Sequence, residues 1–224
     1  MLLKKRTHQM ITRRSAILGI GLGTGLAAWA SAPGESWNDK QPSQWSEKDI
    51  QRLLTKSPWA KEVTPEMDFT GMEGPGMVGP PMGGPGMGGP GGPGGPFNMT
   101  AVVRWESAAP LREAAKSKLP LDPSGSYVVS VSGLPDELVA ATAELSLGSL
   151  KETTSLQRKG QASVAPAHFI VSDEDGALLF YFPNNADPIS PEDKEVAFRT
   201  KIGVFELKVK FVPKDMRYRG KPAL

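Results

Sequence analysis

The chain of 224 residues carries 26 basic and 24 acidic side chains, a formal charge of +2, and no cysteine. The missing thiols exclude disulfides, thiolate metal sites and a cysteine nucleophile, so stability must come from packing. Five basic residues (Lys4, Lys5, Arg6, Arg13, Arg14) and no acidic ones lie in residues 1–30; the remaining 21 basic and 24 acidic residues leave −3, a balance that argues against general nucleic-acid binding.

Residues 1–30 read as an export signal. A mildly apolar run over 16–28 follows the basic stretch, and Ala28, Trp29 and Ala30 form the small-residue box of a signal peptidase site. Residues 12–18 resemble a twin-arginine signal, although Ala16 stands where a bulky apolar residue is usual, so that route and the general secretory route both stay open. The apolar stretch is shorter than the ~20 residues that span a bilayer. A glycine run from Gly19 to Gly25 mimics a dinucleotide loop, but no strand precedes it. The expectation is a cleaved signal and a periplasmic or secreted chain that meets the membrane only during export.

Residues 31–70 read as a flexible N-terminal segment holding one Trp-rich helix over 46–55. Ser46 and Asp49 have capping-box spacing, Ile50, Leu53 and Leu54 share one helical face, and Trp45 and Trp59 flank it. Ser57 and Pro58 stop the helix. So short a helix is marginal alone; its apolar face either docks on this protein's own domain or anchors another protein of the envelope or extracellular space.

Residues 71–96 repeat a five-residue unit that begins at Met72, Met77, Met82 and Met87. Thirteen glycines and seven prolines leave almost no side chains for a core, so a disordered linker with a span of roughly 30 Å is expected. The period of five excludes a collagen helix. The four thioethers form the one metal candidate, a soft site for copper as Cu(I), with no cysteine or histidine in the repeat to assist.

Residues 97–224 read as a globular α+β domain. Strands are expected over 102–105, 127–132, 153–158, 167–171, 177–182, 194–202 and 204–212, and short helices over 110–118 and from Pro135 to Gly148. The acidic turn at 173–176 closes one hairpin and Gly203 another. Residues 178–182 are apolar on both faces, whereas 205–211 alternate apolar and charged. The pattern predicts an antiparallel sheet of about five to seven strands with two short helices.

Ser57, Pro58, Trp59, Ala60 and Lys61, together with Arg104, Trp105, Glu106, Ser107 and Ala108, resemble the "SPWAK" and "RWESA" segments of a group of uncharacterised secreted bacterial proteins. The ending from Phe211 to Gly220 is similar to theirs. The group has no known activity; the resemblance implies that the Trp-rich helix and the domain belong together, with the repeat inserted between them.

Catalytic chemistry is undersupplied. His168 is the only histidine beyond the signal, no Gly-x-Ser-x-Gly elbow is present, and Asp173, Glu174 and Asp175 lack the spacing of a calcium loop. Arg104, Trp105 and Glu106 at a strand end form either a ligand-facing patch or a core tryptophan between two outward charges. Lys214, Arg217, Arg219 and Lys221 make a basic tail. The sequence therefore points to an exported, non-enzymatic binding or structural protein of unknown ligand, without a cofactor. Its candidate binding residues are Trp45, Ile50, Leu53, Leu54, Trp59, Arg104, Trp105 and Glu106. Copper binding through the methionines is the alternative, and a hydrolase the third reading.

Overall fold

The computed structural model describes residues 36–68, 99–116 and 118–224. These residues fall in one compact unit, Glu35–Leu224. The signal segment and the methionine repeat lie outside the described residues.

Short alternating strands dominate, and all their pairings are antiparallel. One sheet has five strands in the order β1 (Ala60–Val63), β3 (Ala101–Trp105), β4 (Ser126–Ser132), β7 (Leu178–Pro183) and β6 (His168–Val171). A second has four in the order β2 (Glu66–Met67), β9 (Phe205–Phe211), β8 (Val196–Ile202) and β5 (Ser155–Arg158). A two-stranded ribbon of β10 (Arg217–Tyr218) and β11 (Lys221–Pro222) completes the set among the described residues. Five helices join them: α1 (Ser36–Asp39), α2 (Glu47–Thr55), α3 (Ala109–Ala115), α4 (Asp136–Ala143) and α5 (Leu147–Thr153). The protein is α+β, as its pattern predicts, with the strands divided between two main sheets and a two-stranded ribbon.

Each sheet presents an apolar face that must be covered, and each covers the other. The Trp105 and Phe211 rings meet across the sheets at 5.2 Å, and Phe198 lies 5.8 Å from Phe180 and 6.2 Å from Phe182. Strand β7 is buried on both sides. Leu178, Phe180 and Phe182 enter this main core, while Leu179 and Tyr181 join Val128 beneath Leu119 and Ile170 on the outer face. Gly133, just past β4, has φ +78°, and a Cβ there would meet the Thr100 carbonyl oxygen at 2.9 Å, so the backbone approach itself demands glycine.

The segment before the repeat is part of this architecture. Ser46 Oγ accepts the Asp49 N–H at 3.2 Å and Asp49 Oδ2 accepts the Ser46 N–H at 3.1 Å, so α2 begins on the expected capping box. Beyond α2 the chain does not stay free. Strand β1 pairs with β3, β2 pairs with β9, and Trp37, Leu53 and Trp59 are buried in the main core. Where the sequence suggests a flexible segment over 31–70 separate from a domain over 97–224, the structure joins 36–68 to both sheets. Strand β1 is four residues of mixed polarity, too short to show alternation.

Two helix boundaries differ from expectation for local reasons. Helix α3 ends at Ala115 because Lys116 turns left-handed, φ 55°. The helix expected from Pro135 to Gly148 divides in two. Ser146 accepts the Ser149 N–H at 3.2 Å and starts α5, leaving Leu145 exposed and Gly148 inside the new first turn. The hydroxyls of Thr154 and Thr200, both buried, then pair at 2.7 Å to fasten α5 to β8.

Candidate functional site

The alternation of β3 sends Trp105 into the core and turns Arg104 and Glu106 to the opposite face of the five-stranded sheet. Arg104 donates from Nε to the Leu54 carbonyl at the end of α2, 2.9 Å away, and its Nη1 lies 3.8 Å from Glu106 Oε1. Ser130, on the neighbouring β4, donates its hydroxyl to the same Glu106 oxygen at 2.7 Å. The Arg104 and Glu106 side chains retain only 20% and 12% of their exposure. Burial raises the pKa of the Glu106 carboxyl; the Ser130 hydroxyl and the Arg104 charge oppose the shift without cancelling it, and Asp175 adds to it.

Arg104 and Glu106 line a cleft of about 400 Å³, with Ser130 behind Glu106. Leu54, Leu119, Pro120 and Leu179 supply an apolar lining. The 172–175 turn brings three exposed acids, Asp173, Glu174 and Asp175, and Lys118 contributes a cation. The turn holds its own shape: Asp175 Oδ1 accepts the Ala177 N–H at 3.2 Å, and the Ser172 carbonyl accepts the Gly176 N–H at 2.9 Å.

The eight sequence-selected binding residues therefore separate. Leu54, Arg104 and Glu106 come together at the cleft. Leu53, Trp59 and Trp105 are fully buried in the core, Trp45 is nearly so, and Ile50 packs half-buried against it. The five do not form a surface for a partner, because the apolar face of α2 is spent on this protein's own sheets. Sequence reasoning left Ser130, Leu119 and Leu179 out of the site. Ser130 had a signal, as the one polar residue flanked by valines within a buried strand.

Elsewhere, His168 is exposed at the start of β6, opposite Tyr181. Among the described residues no group of histidines and acids is arranged to hold a metal ion, and the acidic turn at 173–175 is not such a group. Met72, Met77, Met82 and Met87 lie outside the described residues. Lys214, Arg217, Arg219 and Lys221 are exposed around the β10–β11 ribbon, whose Arg219 backbone N–H donates to Asn38 Oδ1 at 3.0 Å. Among the described residues no helix is long and apolar enough to cross a membrane. The chain matches no protein-family model, no curated protein and no solved structure.

Proposed function

We propose that this is an exported protein of the periplasm or extracellular space that acts by binding rather than by catalysis, and that the cleft beside Arg104 and Glu106 receives its ligand. One observation carries the reading. Two charged side chains are withdrawn from water at the cleft, 20% and 12% exposed, although burying them costs solvation energy. A carboxyl perturbed by burial beside a partly apolar cavity is a feature that recognition sites share. Export rests on the basic, apolar and small-residue order of residues 1–30.

The test is native mass spectrometry of the protein purified without denaturation from its own host's exported fraction. A retained small molecule, lost from the Arg104→Ala/Glu106→Gln variant, is the expected result. Identical spectra for the two proteins would remove the cleft from consideration. Recovery of the protein only from the cytoplasm would remove export.

A further inference from the structure

We infer that the cleft takes a small organic cation, an ammonium or guanidinium group carried on a short apolar body. The inference rests on the binding role proposed above and names the chemistry of its ligand.

Charge favours this class. Glu106, Asp173, Glu174 and Asp175 face the cleft, against Arg104 and Lys118. Arg104 is already engaged by the Leu54 carbonyl and by Glu106. Lys118 is exposed and forms no ion pair among the described residues. Leu54 and Ala115 also lie at the C-terminal ends of α2 and α3, where backbone carbonyls add partial negative charge. An anionic ligand would enter against that field.

Geometry supplies the contact. Among the described residues both polar partners of Glu106 meet Oε1, and Oε2 makes no hydrogen bond. A carboxylate held on one oxygen by Ser130, with the other unengaged, is set to accept an N–H from a cation. The Glu106 side chain is only 12% exposed, and such burial strengthens a charge-assisted hydrogen bond. The apolar side of the ligand would lie on Leu54, Leu119, Pro120 and Leu179. At about 400 Å³ the cleft is at the small end of ligand pockets, which run roughly from 300 to 1,000 Å³.

The test uses three probes of one shape on the full chain: phenethylammonium, neutral 2-phenylethanol and anionic 3-phenylpropionate, followed by amide chemical shifts. The ammonium is expected to shift the amides of Glu106, Ser130 and Ala177 and to bind about tenfold more tightly than the alcohol. Glu106→Gln keeps an acceptor for Ser130, so it should fold while erasing that preference. Asp175→Asn, which preserves the cap on Ala177, should weaken the ammonium by a smaller factor. Equal binding of all three probes, or tighter binding of the carboxylate, overturns the cation class and leaves the cleft as a binding site. If no probe shifts those amides while a native ligand is still lost from the Arg104→Ala/Glu106→Gln variant, the cation class alone fails. Silence in both experiments removes the site.

Discussion

The indole N–H of Trp59 donates to the Ala223 carbonyl at 2.6 Å, tying the segment that precedes the methionine repeat to the last residues of the chain. The Trp59 backbone carbonyl accepts the Trp105 N–H at 2.8 Å, and its ring meets Trp37 edge-on at 6.3 Å. Trp59 is the one described tryptophan with a paired indole; those of Trp37, Trp45 and Trp105 are buried without an acceptor. Residues from either side of the repeat thus share one core.

Removing residues 45–61 should accordingly abolish cooperative unfolding of the rest of the chain, because it takes Leu53, Trp59 and the first residues of β1 out of the fold. Trp59→Ala should cost about 3–5 kcal/mol. Trp59→Phe keeps much of the ring and strands the Ala223 carbonyl, so about 1–2 kcal/mol is expected. Urea denaturation measures all three. A deletion variant with an unchanged cooperative transition would show that the segment is dispensable to the core.

Glu106 should make stability fall with rising pH. Its folded pKa is raised by burial, so the native state holds the proton where the unfolded chain has begun to lose it. The loss begins as pH rises through the ordinary value of 4.5 and is complete above the raised folded value. Glu106→Gln should therefore gain stability relative to the parent as pH rises above 4.5, measured as the difference in urea midpoints. A constant difference across that range contradicts the assigned shift.

Arg158 organises the loop between β7 and β8. Its guanidinium is 5% exposed and donates to Asp187, to Asp193 Oδ2 at 3.2 Å and to the carbonyls of Asp187 and Pro188. Arg158→Ala leaves Asp193 with only the Ser190 N–H and strands both carbonyls, so it should cost about 3 kcal/mol, the low end for a broken buried pair, because Asp187 is 58% exposed and rehydrates. Arg158→Lys should recover only part of it, since an ammonium lacks the planar fork. Thermal unfolding of the three proteins decides, and full rescue by lysine would reduce the role of Arg158 to its charge.

Tyr218 donates its hydroxyl to Glu113 Oε2 at 2.6 Å, joining the C-terminal ribbon to α3. Burial, with this hydrogen bond and the Glu113 charge adding to it, pushes its pKa up to about 12. An unfolded tyrosine ionises near 10.0, so this group's contribution to stability is intact below pH 10 and declines from there toward about 12. Tyr218→Phe should lose about 1–2 kcal/mol at pH 7 and flatten the alkaline decline. Absorbance titration near 295 nm should lose its highest-pH tyrosine step in the same variant.

Much of this was legible along the chain. The capping box at Ser46 and Asp49, the Gly203 hairpin, the doubly buried run at 178–182 and the alternation at 205–211 each follow from nearest-neighbour chemistry and a period of two. So does the opposition of Trp105 to Arg104 and Glu106, since adjacent strand residues must face opposite ways. The division of the expected 135–148 helix was less visible, because Ser146 competes as a cap within an otherwise helical pattern.

Composition and local period by themselves determined the α+β class and the absence of thiol chemistry, which depend only on residue content and on residues close together in sequence. Only the tertiary structure decided that the Trp-rich segment belongs to the core. It also decided that the strands form two sheets and that Arg104, Glu106, Ser130 and the 172–175 turn meet at one cleft. Those outcomes depend on pairings between residues far apart in the chain, such as Lys61 with Val103 and Trp59 with Ala223. Such pairings form because two apolar sheet faces leave water together, and no local pattern specifies which distant face will be the partner.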